Sequence, residues 1–359
     1  MKAMILAAGK GTRLEPLTHT MPKPMIPVLG KPVMQYLLEH LKTYGTRQIM
    51  VNTSHLADKI KNYFGSGHQW GVEIGYSFEG TLQDGQIIAQ PLGSAGGIKR
   101  IQEFGATEFF DDTFWVVCGD AIIDFDLHRV RWEHDRSNSK ASIVVAKVPR
   151  EKVERYGVVV CDENDRIIEF QEKPSREEAK STLVNTGVYV FEPEILDLIP
   201  QAEEYDIGSQ LIPAMLEEDL PLHAIEVPYS EWIDIGQMSD YWEANQALMQ
   251  GRLESVSMPG TEIKPGIYTG LNVNVQSDQI EGPVYIGSGS HIEPGCEIYG
   301  PTWIGDGCHL KSGAYIRRSI LFDYSRLGSR SRIEDSLVFG RYCVDRNGKE
   351  VPDPEGNRD

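Results

Sequence analysis

Small residues and positive charges follow the first apolar segment of the chain. Lys2–Ala7 has the pattern of a short buried strand, and the sequence Ala-Gly-Lys-Gly-Thr-Arg follows it at residues 8–13. Glycines after a strand let backbone N–H groups approach a chain of phosphates closely. A dinucleotide fingerprint does not fit, because Leu14 stands where a third glycine is needed. Lys23 lies between two prolines, on a stiff extended segment that holds its charge ready for an anionic ligand.

Two aspartates stand in apolar surroundings at the ends of predicted strands. Asp120 follows the apolar strand Phe114–Cys118 after a single glycine, and Asp234 is the central residue of Trp232–Gly236. The commonest position of an aspartate is a surface or a helix cap. Mg²⁺ in proteins takes one or two carboxylates together with phosphate oxygens of a substrate. We therefore predict that Asp120 and Asp234 are ligands of Mg²⁺.

The order of several motifs resembles one family. The run from Leu6 to Pro32 resembles the N-terminal motif of the sugar nucleotidyltransferases, and Gln90–Gly97 resembles their base-reading loop. Tyr156–Val159, Phe170–Pro174 and Asn185–Gly187 are similar to segments that contact the sugar phosphate in this family. The two aspartates match its metal-binding acids. The resemblance covers about residues 1–250 and implies transfer of a nucleotidyl group to a sugar 1-phosphate.

The resemblance also implies a role for individual residues. Nucleotide binding is expected from Leu6, Ala7, Ala8, Gly9, Gly11, Thr12, Arg13, Lys23, Gln90 and Gly96. Binding of the sugar phosphate is expected from Gly157, Glu172, Lys173, Asn185 and Thr186. Arg13, Lys23 and Lys173 are the expected catalytic cations. A nucleophile that is already an anion needs no general base, so catalysis is expected from positioning and charge neutralisation.

The choice of base and sugar rests on Gln90. A glutamine side chain offers one donor and one acceptor. Uracil presents a donor beside an acceptor, whereas guanine presents two adjacent donors that suit a carboxylate better. Gln90 therefore favours UTP with glucose 1-phosphate, and GTP with mannose 1-phosphate is the second choice. A non-catalytic regulatory subunit that binds sugar nucleotides is the alternative of another class, and it should lack some of the charged site residues that are present here.

The elements that must position these residues form two patterns. Strand-like and helix-like segments alternate over the first 250 residues, among them a strand at Gln48–Asn52, which predicts a Rossmann-like α/β fold with a mainly parallel sheet. Ligands in such sheets lie beyond the carboxyl ends of the strands. Aliphatic residues then recur every six residues, which predicts a short left-handed parallel β-helix. They are Ile286, Ile292, Ile298, Ile304, Leu310 and Ile316, with a weaker continuation at Leu327 and Ile333.

The predicted organisation has four parts. We expect a nucleotidyltransferase domain at 1–250, a junction at 251–280, hexapeptide repeats of the β-helix at 281–344 and a disordered tail at 345–359. His291 and His309 lie within the repeats, where a lone histidine is typical of a solvated surface rather than of an acyltransferase base. Open coil ends and a flat face favour packing between subunits, so a homo-oligomer is expected.

Composition narrows the partners and the compartment. The 359 residues include 35 Lys and Arg against 53 Asp and Glu, for a net charge of −18. An acidic chain lacks the broad basic surface that nucleic acids require, and anionic membranes are disfavoured for the same reason. The five cysteines are widely spaced and form no C-x-x-C pair, which fits a reducing cytosol. No apolar run is long enough to span a membrane.

Overall fold

A computed structural model describes residues 1–83, 86–103, 107–201 and 203–351. The chain divides into two compact units, of which the first contains Met1–Gly11, Thr20–Ile26 and Pro32–Asp234. The second contains Thr12–His19, Pro27–Lys31 and the chain from Ile235 onwards. This division falls after Asp234, whereas the sequence pattern predicts a boundary near residue 250.

The helices and strands follow one another along the chain. The helices are α1 (Val33–Thr43), α2 (Ala57–Phe64), α3 (Gly93–Glu103), α4 (Leu127–Ser137), α5 (Ile212–Glu217) and α6 (Met238–Met249). The strands are β1 (Lys2–Ala7), β2 (Pro27–Val28), β3 (Lys31–Pro32), β4 (Gln48–Thr53), β5 (Glu73–Phe78), β6 (Gly80–Gln83), β7 (Gln86–Ala89), β8 (Phe114–Cys118), β9 (Ala121–Ile123), β10 (Ala141–Lys147), β11 (Gly157–Cys161), β12 (Ile167–Glu172), β13 (Leu183–Phe191), β14 (Leu222–Val227), β15 (Trp232–Asp234), β16 (Thr261–Lys264), β17 (Ile267–Thr269), β18 (Asn274–Val275), β19 (Gln279–Glu281), β20 (Val284–Ile286), β21 (His291–Ile292), β22 (Glu297–Tyr299), β23 (Thr302–Ile304), β24 (His309–Leu310), β25 (Tyr315–Arg317), β26 (Ile320–Leu321), β27 (Arg326–Leu327), β28 (Arg332–Glu334), β29 (Ser336–Phe339) and β30 (Tyr342–Asp345).

The first unit is built on one large sheet. Its strands follow the order β12-β11-β13-β8-β1-β4-β5, with β10 paired to β13 and β14 paired to β10. Strands β8, β1, β4 and β5 run parallel, whereas β13 is antiparallel to β8, β10 and β11. The parallel part therefore brings the carboxyl ends of β1, β4 and β8 to one edge, where a ligand is expected.

Both faces of this sheet are covered. Met4 packs in one apolar cluster with residues of α3 and α5, while Ala3 and Ile5 pack in another with residues of α1 and α2. All three residues are fully buried, as the alternation of side chains along a strand requires. β1 and β8 are apolar at successive positions because neither face of these strands is exposed to water. Within the described part of the chain, no helix is long and apolar enough to cross a membrane.

The second unit contains a three-sided β-helix. Its parallel strands stack in three columns, β17-β20-β23-β26-β29, β18-β21-β24-β27 and β19-β22-β25-β28. The six aliphatic residues predicted to line the axis are all fully buried, and Leu327 and Ile333 continue the same stack. The predicted hexapeptide architecture is therefore confirmed. After β23 the register shortens from 18 to 17 residues: Ile304 pairs with Ile286 before it and with Leu321 after it.

The coils begin and end differently from the sequence pattern. The segment predicted as a junction at 251–280 contains β16, β17, β18 and β19, so the first coil starts before the aliphatic period is visible. A terminal coil packs against a neighbouring coil on one side only, so it needs fewer apolar residues. At the other end, β30 pairs with β29, and the Asp345 amide donates to the carbonyl of Lys349 over 2.8 Å. Of the tail predicted at 345–359, residues 352–359 lie outside the described residues.

Candidate active site

A cleft lies at the carboxyl ends of the central strands of the first unit. Its volume is about 230 Å³. The loop after β1, the Lys23 segment, the start of α3 and the end of β8 supply its walls. The lining residues are Leu6, Ala7, Ala8, Gly9, Lys23, Pro24, Asn52, Glu79, Pro91, Gly93, Ser94, Cys118 and Asp120. Residues predicted from three separate segments to bind nucleotide or metal thus meet in one cavity.

A larger cavity of about 780 Å³ lies at the other edge of the same sheet. Met1, Lys2, Arg47 and Gln48 belong to its lining, so it is located at the amino ends of β1 and β4. Ligands of open α/β sheets bind outside the carboxyl ends of the strands. We therefore assign the site to the smaller cleft, where the predicted residues lie.

The loop after β1 gives a ligand access to the backbone. A Cβ atom on Gly9 would have no heavy atom within 4 Å, so the space above it is open. Gly11 has a φ of +67°, a conformation that side chains other than glycine rarely adopt. Thr12 and Arg13 are both exposed. They lie in a short 3₁₀ turn at Thr12–Leu14, which belongs to the second unit. Their contacts with a nucleotide stay a prediction.

Lys23 and Asp120 form an ion pair inside the cleft. The Lys23 ammonium donates to Asp120 Oδ2, and the Lys23 side chain is 11% exposed. The sequence pattern assigns Lys23 to the phosphates and Asp120 to the metal. Their direct contact puts the two predicted functions at one point of the cleft. A polyanion bound here would meet both the cation and the acid, so the pair has to open or share its partners with the substrate.

Asp234 belongs to the same corner of the first unit. It ends β15, whose residues pair with β9, and it lies opposite Ala121, the residue that follows Asp120. Burial raises the pKa of the Cys118 thiol, and the carboxylates of Asp120, Asp234 and Asp206 raise it further, while Lys23 opposes them. These three carboxylates thus lie near enough to the thiol to act on its pKa. The role of Asp120 and Asp234 as metal ligands stays a prediction.

Asn52 and Glu79 connect the two loops of the cleft. Asn52 Oδ1 accepts from the Ala7 amide over 2.7 Å, and its Nδ2 donates to Glu79 Oε1 over 2.6 Å. Glu79 Oε2 then accepts from the Leu92 amide over 2.8 Å. Both side chains are buried, and burial raises the pKa of Glu79 although these hydrogen bonds oppose the shift. Neither residue is predicted from the sequence. The available signal was Asn52 in β4, a polar residue near the carboxyl end of a buried parallel strand.

The base-reading segment follows this connection. Gln90 is exposed, and its amide donates to the Glu79 carbonyl over 3.0 Å. The predicted nucleotide residue Gly96 does not line the cleft; its amide donates to the Tyr205 carbonyl, and a Cβ there would lie 2.6 Å from the Glu203 carbonyl oxygen. Ser94 lines the cleft instead.

Asp206 anchors the start of α3. It accepts from the Ser94 hydroxyl over 2.7 Å and from the amides of Gly208 and Ser209. Burial alone would raise the pKa of Asp206, but these hydrogen bonds outweigh it and lower the pKa. Asp206 therefore stays a carboxylate that holds Ser94 at the cleft. Asp206 is not predicted from the sequence, because its partner Ser94 lies more than 100 positions away.

The predicted sugar-phosphate residues lie on neighbouring strands. Gly157 in β11 pairs with Glu172 in β12, and a Cβ on Gly157 would come within 2.3 Å of the Phe170 ring. Lys173 Nζ donates to Glu172 Oε1 over 2.6 Å, and the Lys173 side chain is 54% exposed. The exposed ammonium is therefore available to an anion, while the glycine is required by the close ring.

Asn185 and Thr186 lie in β13, next to β8. The Asn185 amide group donates to the Tyr189 hydroxyl over 2.7 Å, and the Thr186 hydroxyl donates to the Val144 carbonyl over 2.8 Å. Thr186 is buried, so its side chain supports the sheet, and its contact with a sugar stays a prediction. The following residue, Gly187, packs against Cys118, since a Cβ on it would lie 2.8 Å from the thiol sulfur. The sugar segment thus adjoins the cleft through Cys118.

The fold and the cleft define a class of enzyme. A glycine-containing loop after the first strand, a lysine and an aspartate at the carboxyl edge, and hexapeptide coils after the α/β unit are together typical of sugar nucleotidyltransferases. The chain belongs to the nucleotidyl transferase family, which matches residues 2–251. Six repeats of the bacterial transferase hexapeptide match residues 283–318. The fold class and the enzyme class predicted from the sequence, a sugar-1-phosphate nucleotidyltransferase, are both confirmed.

Several characterised proteins are similar over most of the chain. A UTP–glucose-1-phosphate uridylyltransferase of Synechocystis is 53% identical over 98% of this chain and 90% of its own length. A mannose-1-phosphate guanylyltransferase of Mycobacterium tuberculosis is 32% identical over 82% of this chain and 77% of its own. Among solved structures, a putative glucose-1-phosphate thymidylyltransferase from Bacillus anthracis has a TM-score of 0.57 at 28% identity, and it covers 68% of this chain and 94% of its own.

Proposed function

We propose that the protein transfers the uridylyl group of UTP to glucose 1-phosphate and releases pyrophosphate. The observation that carries this proposal is the cleft at the carboxyl ends of β1 and β8, which unites the glycine loop with Lys23 and Asp120. The 53% identity to a uridylyltransferase over nearly the whole chain supports the choice of UTP and glucose. GTP with mannose 1-phosphate is the second candidate, because guanylyltransferases are similar over 82% of the chain.

The proposed reaction is an in-line displacement at phosphorus. A phosphate oxygen of glucose 1-phosphate attacks the α-phosphorus of UTP, and the bond from that phosphorus to the bridging oxygen of the β-phosphate breaks. Pyrophosphate leaves with that oxygen and its electron pair. Two polyanions must therefore approach each other while charge builds up on the leaving group. Lys23 on the nucleotide and Lys173 on the sugar phosphate lower this repulsion, with Arg13 as the third expected cation.

The carboxylates around Cys118 fit a hard divalent cation. Asp120 and Asp234 would hold it, because Asp234 lies opposite Ala121, the neighbour of Asp120, and oxygen is the ligand atom that Mg²⁺ prefers. When bound, Mg²⁺ would neutralise charge on the α-phosphate. The ion pair with Lys23 holds the Asp120 carboxylate in place before substrates arrive.

The proposed choice of UTP depends on how Gln90 is held. Its amide is anchored to the Glu79 carbonyl, and Glu79 is anchored through Asn52 to the loop after β1. The base reader and the phosphate loop are thus connected by hydrogen bonds through two buried side chains. An exposed glutamine on a fixed backbone can present its donor and acceptor to the edge of uracil.

The proposal also covers the oligomeric state of the protein and its location in the cell. Exposed apolar side chains such as Leu271 and Tyr324 lie in the second unit and are more than three-quarters exposed. We expect a homo-oligomer through the β-helix, in the cytosol. Sedimentation of the full chain tests the assembly, and a monomer at every concentration would contradict it.

Pyrophosphate release with crossed substrates tests the proposed reaction. UTP, GTP, dTTP and ATP are each combined with glucose 1-phosphate and with mannose 1-phosphate in the presence of Mg²⁺. The proposal predicts the highest kcat/KM for UTP with glucose 1-phosphate. A preference for GTP with mannose 1-phosphate would replace the substrate pair, and absence of turnover with every pair would favour the regulatory subunit.

Gln90→Glu sharpens the same experiment. A carboxylate accepts two hydrogen bonds and therefore suits the two donors of guanine, so the ratio of kcat/KM for UTP over GTP should fall by about tenfold. Gln69→Glu is the matched control, because it makes the same chemical change at a glutamine outside the predicted site, whose side-chain amide donates to the Tyr63 carbonyl over 3.1 Å. An unchanged ratio in Gln90→Glu would show that backbone groups select the base.

A further inference from the structure

Two histidines and a glutamate lie together on the outer face of the β-helix. His291 in β21 pairs in register with His309 in β24 on the next coil. Ile292 and Leu310, their neighbours, point into the axis and are fully buried, so the histidines and Glu293 face outward. One ligand atom from each of the three residues lies within 4.8 Å of the other two. Among the residues that the structure describes, this is the one group of three or more such side chains with that spacing.

Glu293 is held in a fixed orientation. Its Oε2 accepts from the Ser312 amide over 2.9 Å and from the Ser312 hydroxyl over 2.8 Å, and its Oε1 contacts His309 Nε2 over 2.8 Å. These bonds, with that from the Ser312 hydroxyl the strongest influence, lower the pKa of Glu293 to about 2. The two bonds from Ser312 therefore fix the direction in which the Glu293 carboxylate points. Ser312 has the position of an outer partner that orients a metal ligand.

The second histidine completes an open set of three ligands. The ring centroids of His291 and His309 are 5.1 Å apart, and the two rings meet edge to face with an interplanar angle of 65°. In a tetrahedral zinc site the ligand atoms stand roughly 3.3 Å apart, since the bonds are about 2.0–2.2 Å long. The three ligand atoms lie within 4.8 Å of one another, and small rotations of these half-exposed side chains bring them to the closer spacing of a zinc site. Solvent would take the remaining position.

We propose that His291, Glu293 and His309 bind a divalent transition-metal ion of the zinc type on the β-helix. Imidazole nitrogens favour zinc, whereas Mg²⁺ favours oxygen ligands, so this site is chemically separate from that of Asp120 and Asp234. Zinc binds the neutral imidazole, so Nε2 of His309 would bind the ion in the tautomer that carries the ring proton on Nδ1. Because His291 and His309 belong to successive coils, the bound ion links one coil to the next.

Zinc binding by the full-length protein tests the site directly. The protein is stripped with a chelator and then titrated with Zn²⁺ against a competing indicator, in excess Mg²⁺ so that oxygen-rich sites are filled. The proposal predicts one zinc ion per chain. His291→Gln and His309→Gln should each weaken binding by more than about 100-fold, and Ser312→Ala by about tenfold. His68→Gln, which removes a histidine outside the cluster, should bind as the wild type does.

Two controls show whether a loss of zinc binding comes from the removed ligand or from misfolding. Circular dichroism of the metal-free variants shows whether they fold, and a cobalt-substituted protein reports the ligands through its visible spectrum, which His309→Gln should abolish. Zinc that binds equally well to both histidine variants belongs to the free thiols or the aspartates and overturns the proposal. A wild type that binds no zinc overturns it as well and leaves His309 and Glu293 as a surface ion pair.

Discussion

The two units of this protein bring distant residues together in different ways. In the first unit, the cleft collects residues from strand ends that are separated by irregular intervals, such as Ala8, Lys23 and Asp120. In the β-helix, residues 18 positions apart fall on top of one another, as His291 and His309 do. The first arrangement depends on the order of strands in the sheet, and the second on a count along the chain. Loss of one residue therefore has different consequences in the two units.

The largest expected effect comes from the acids of the cleft. Asp120→Asn and Asp234→Asn should each lower kcat by about 10³-fold, because each removes a charge that the proposed cation requires. Circular dichroism should be unchanged. Asp58→Asn, an exposed acid at the start of α2, is the control and should keep full turnover. Near-normal turnover in both cleft variants would refute the metal assignment.

A change in the β-helix should act on stability instead. Ile298 is fully buried between Ile280 and Ile316 of the adjacent coils. Ile298→Ala should lower the free energy of unfolding by about 2–5 kcal/mol, because it leaves a cavity in the axial stack. Chemical denaturation measures the change, with Glu297→Ala on the outer face as the matched control. Equal losses in the two variants would contradict the assignment of Ile298 to the axis.

A smaller and more selective effect is expected at Lys173. Lys173→Gln should raise KM for the sugar phosphate by about 10–100-fold, because it removes a charge-assisted contact to the phosphate. KM for UTP should change little. Lys180→Gln is the matched control, since Lys180 is an exposed lysine that pairs with Glu169 over 2.7 Å. An unaltered KM for the sugar phosphate in Lys173→Gln would remove this residue from the site.

The smallest expected effect concerns the connection through Glu79. Glu79→Gln should raise KM for UTP by less than about tenfold, because an amide keeps some of the hydrogen bonds to Asn52 and Leu92. Burial raises the pKa of Glu79, so the stability linked to its protonation is present at low pH and is lost as the pH rises through that raised pKa.

The pH profile separates this role from simple packing. Denaturation of the wild type and of Glu79→Gln between about pH 4 and pH 8 should show the stability of the wild type falling relative to the variant as the pH rises. Two parallel profiles would mean that Glu79 titrates normally and that burial does not act on its charge.

The sequence was most informative where a local period or a continuous motif exists. The aliphatic residues of the axis and the buried strands β1 and β8 could be predicted, because a hexapeptide period and an apolar run are visible without knowledge of the fold. The segment 6–13 and Asp120 could be placed at strand ends for the same reason. The 18-residue spacing of His291 and His309 is also visible in the sequence. Since it equals three hexapeptides, it places the two histidines side by side on successive coils.

The remaining features depend on contacts that no local pattern records. Asn52 reaches Glu79 only because β4 and β5 pair in parallel, and Ser94 reaches Asp206 across more than 100 residues. The first coil was missed because its apolar residues are too sparse to reveal the period. A sheet with irregular connections leaves such pairings open, whereas a repeating coil fixes them by its length.

The most direct test of the proposed function follows the phosphorus atoms of UTP. Glucose 1-phosphate is incubated with UTP labelled at the α- or the γ-phosphorus, and the products are separated. Attack of the sugar phosphate on the α-phosphorus predicts that the α-label enters UDP-glucose and that the γ-label appears only in pyrophosphate. A γ-label on the sugar, or an α-label that stays in free nucleotide, would contradict the account.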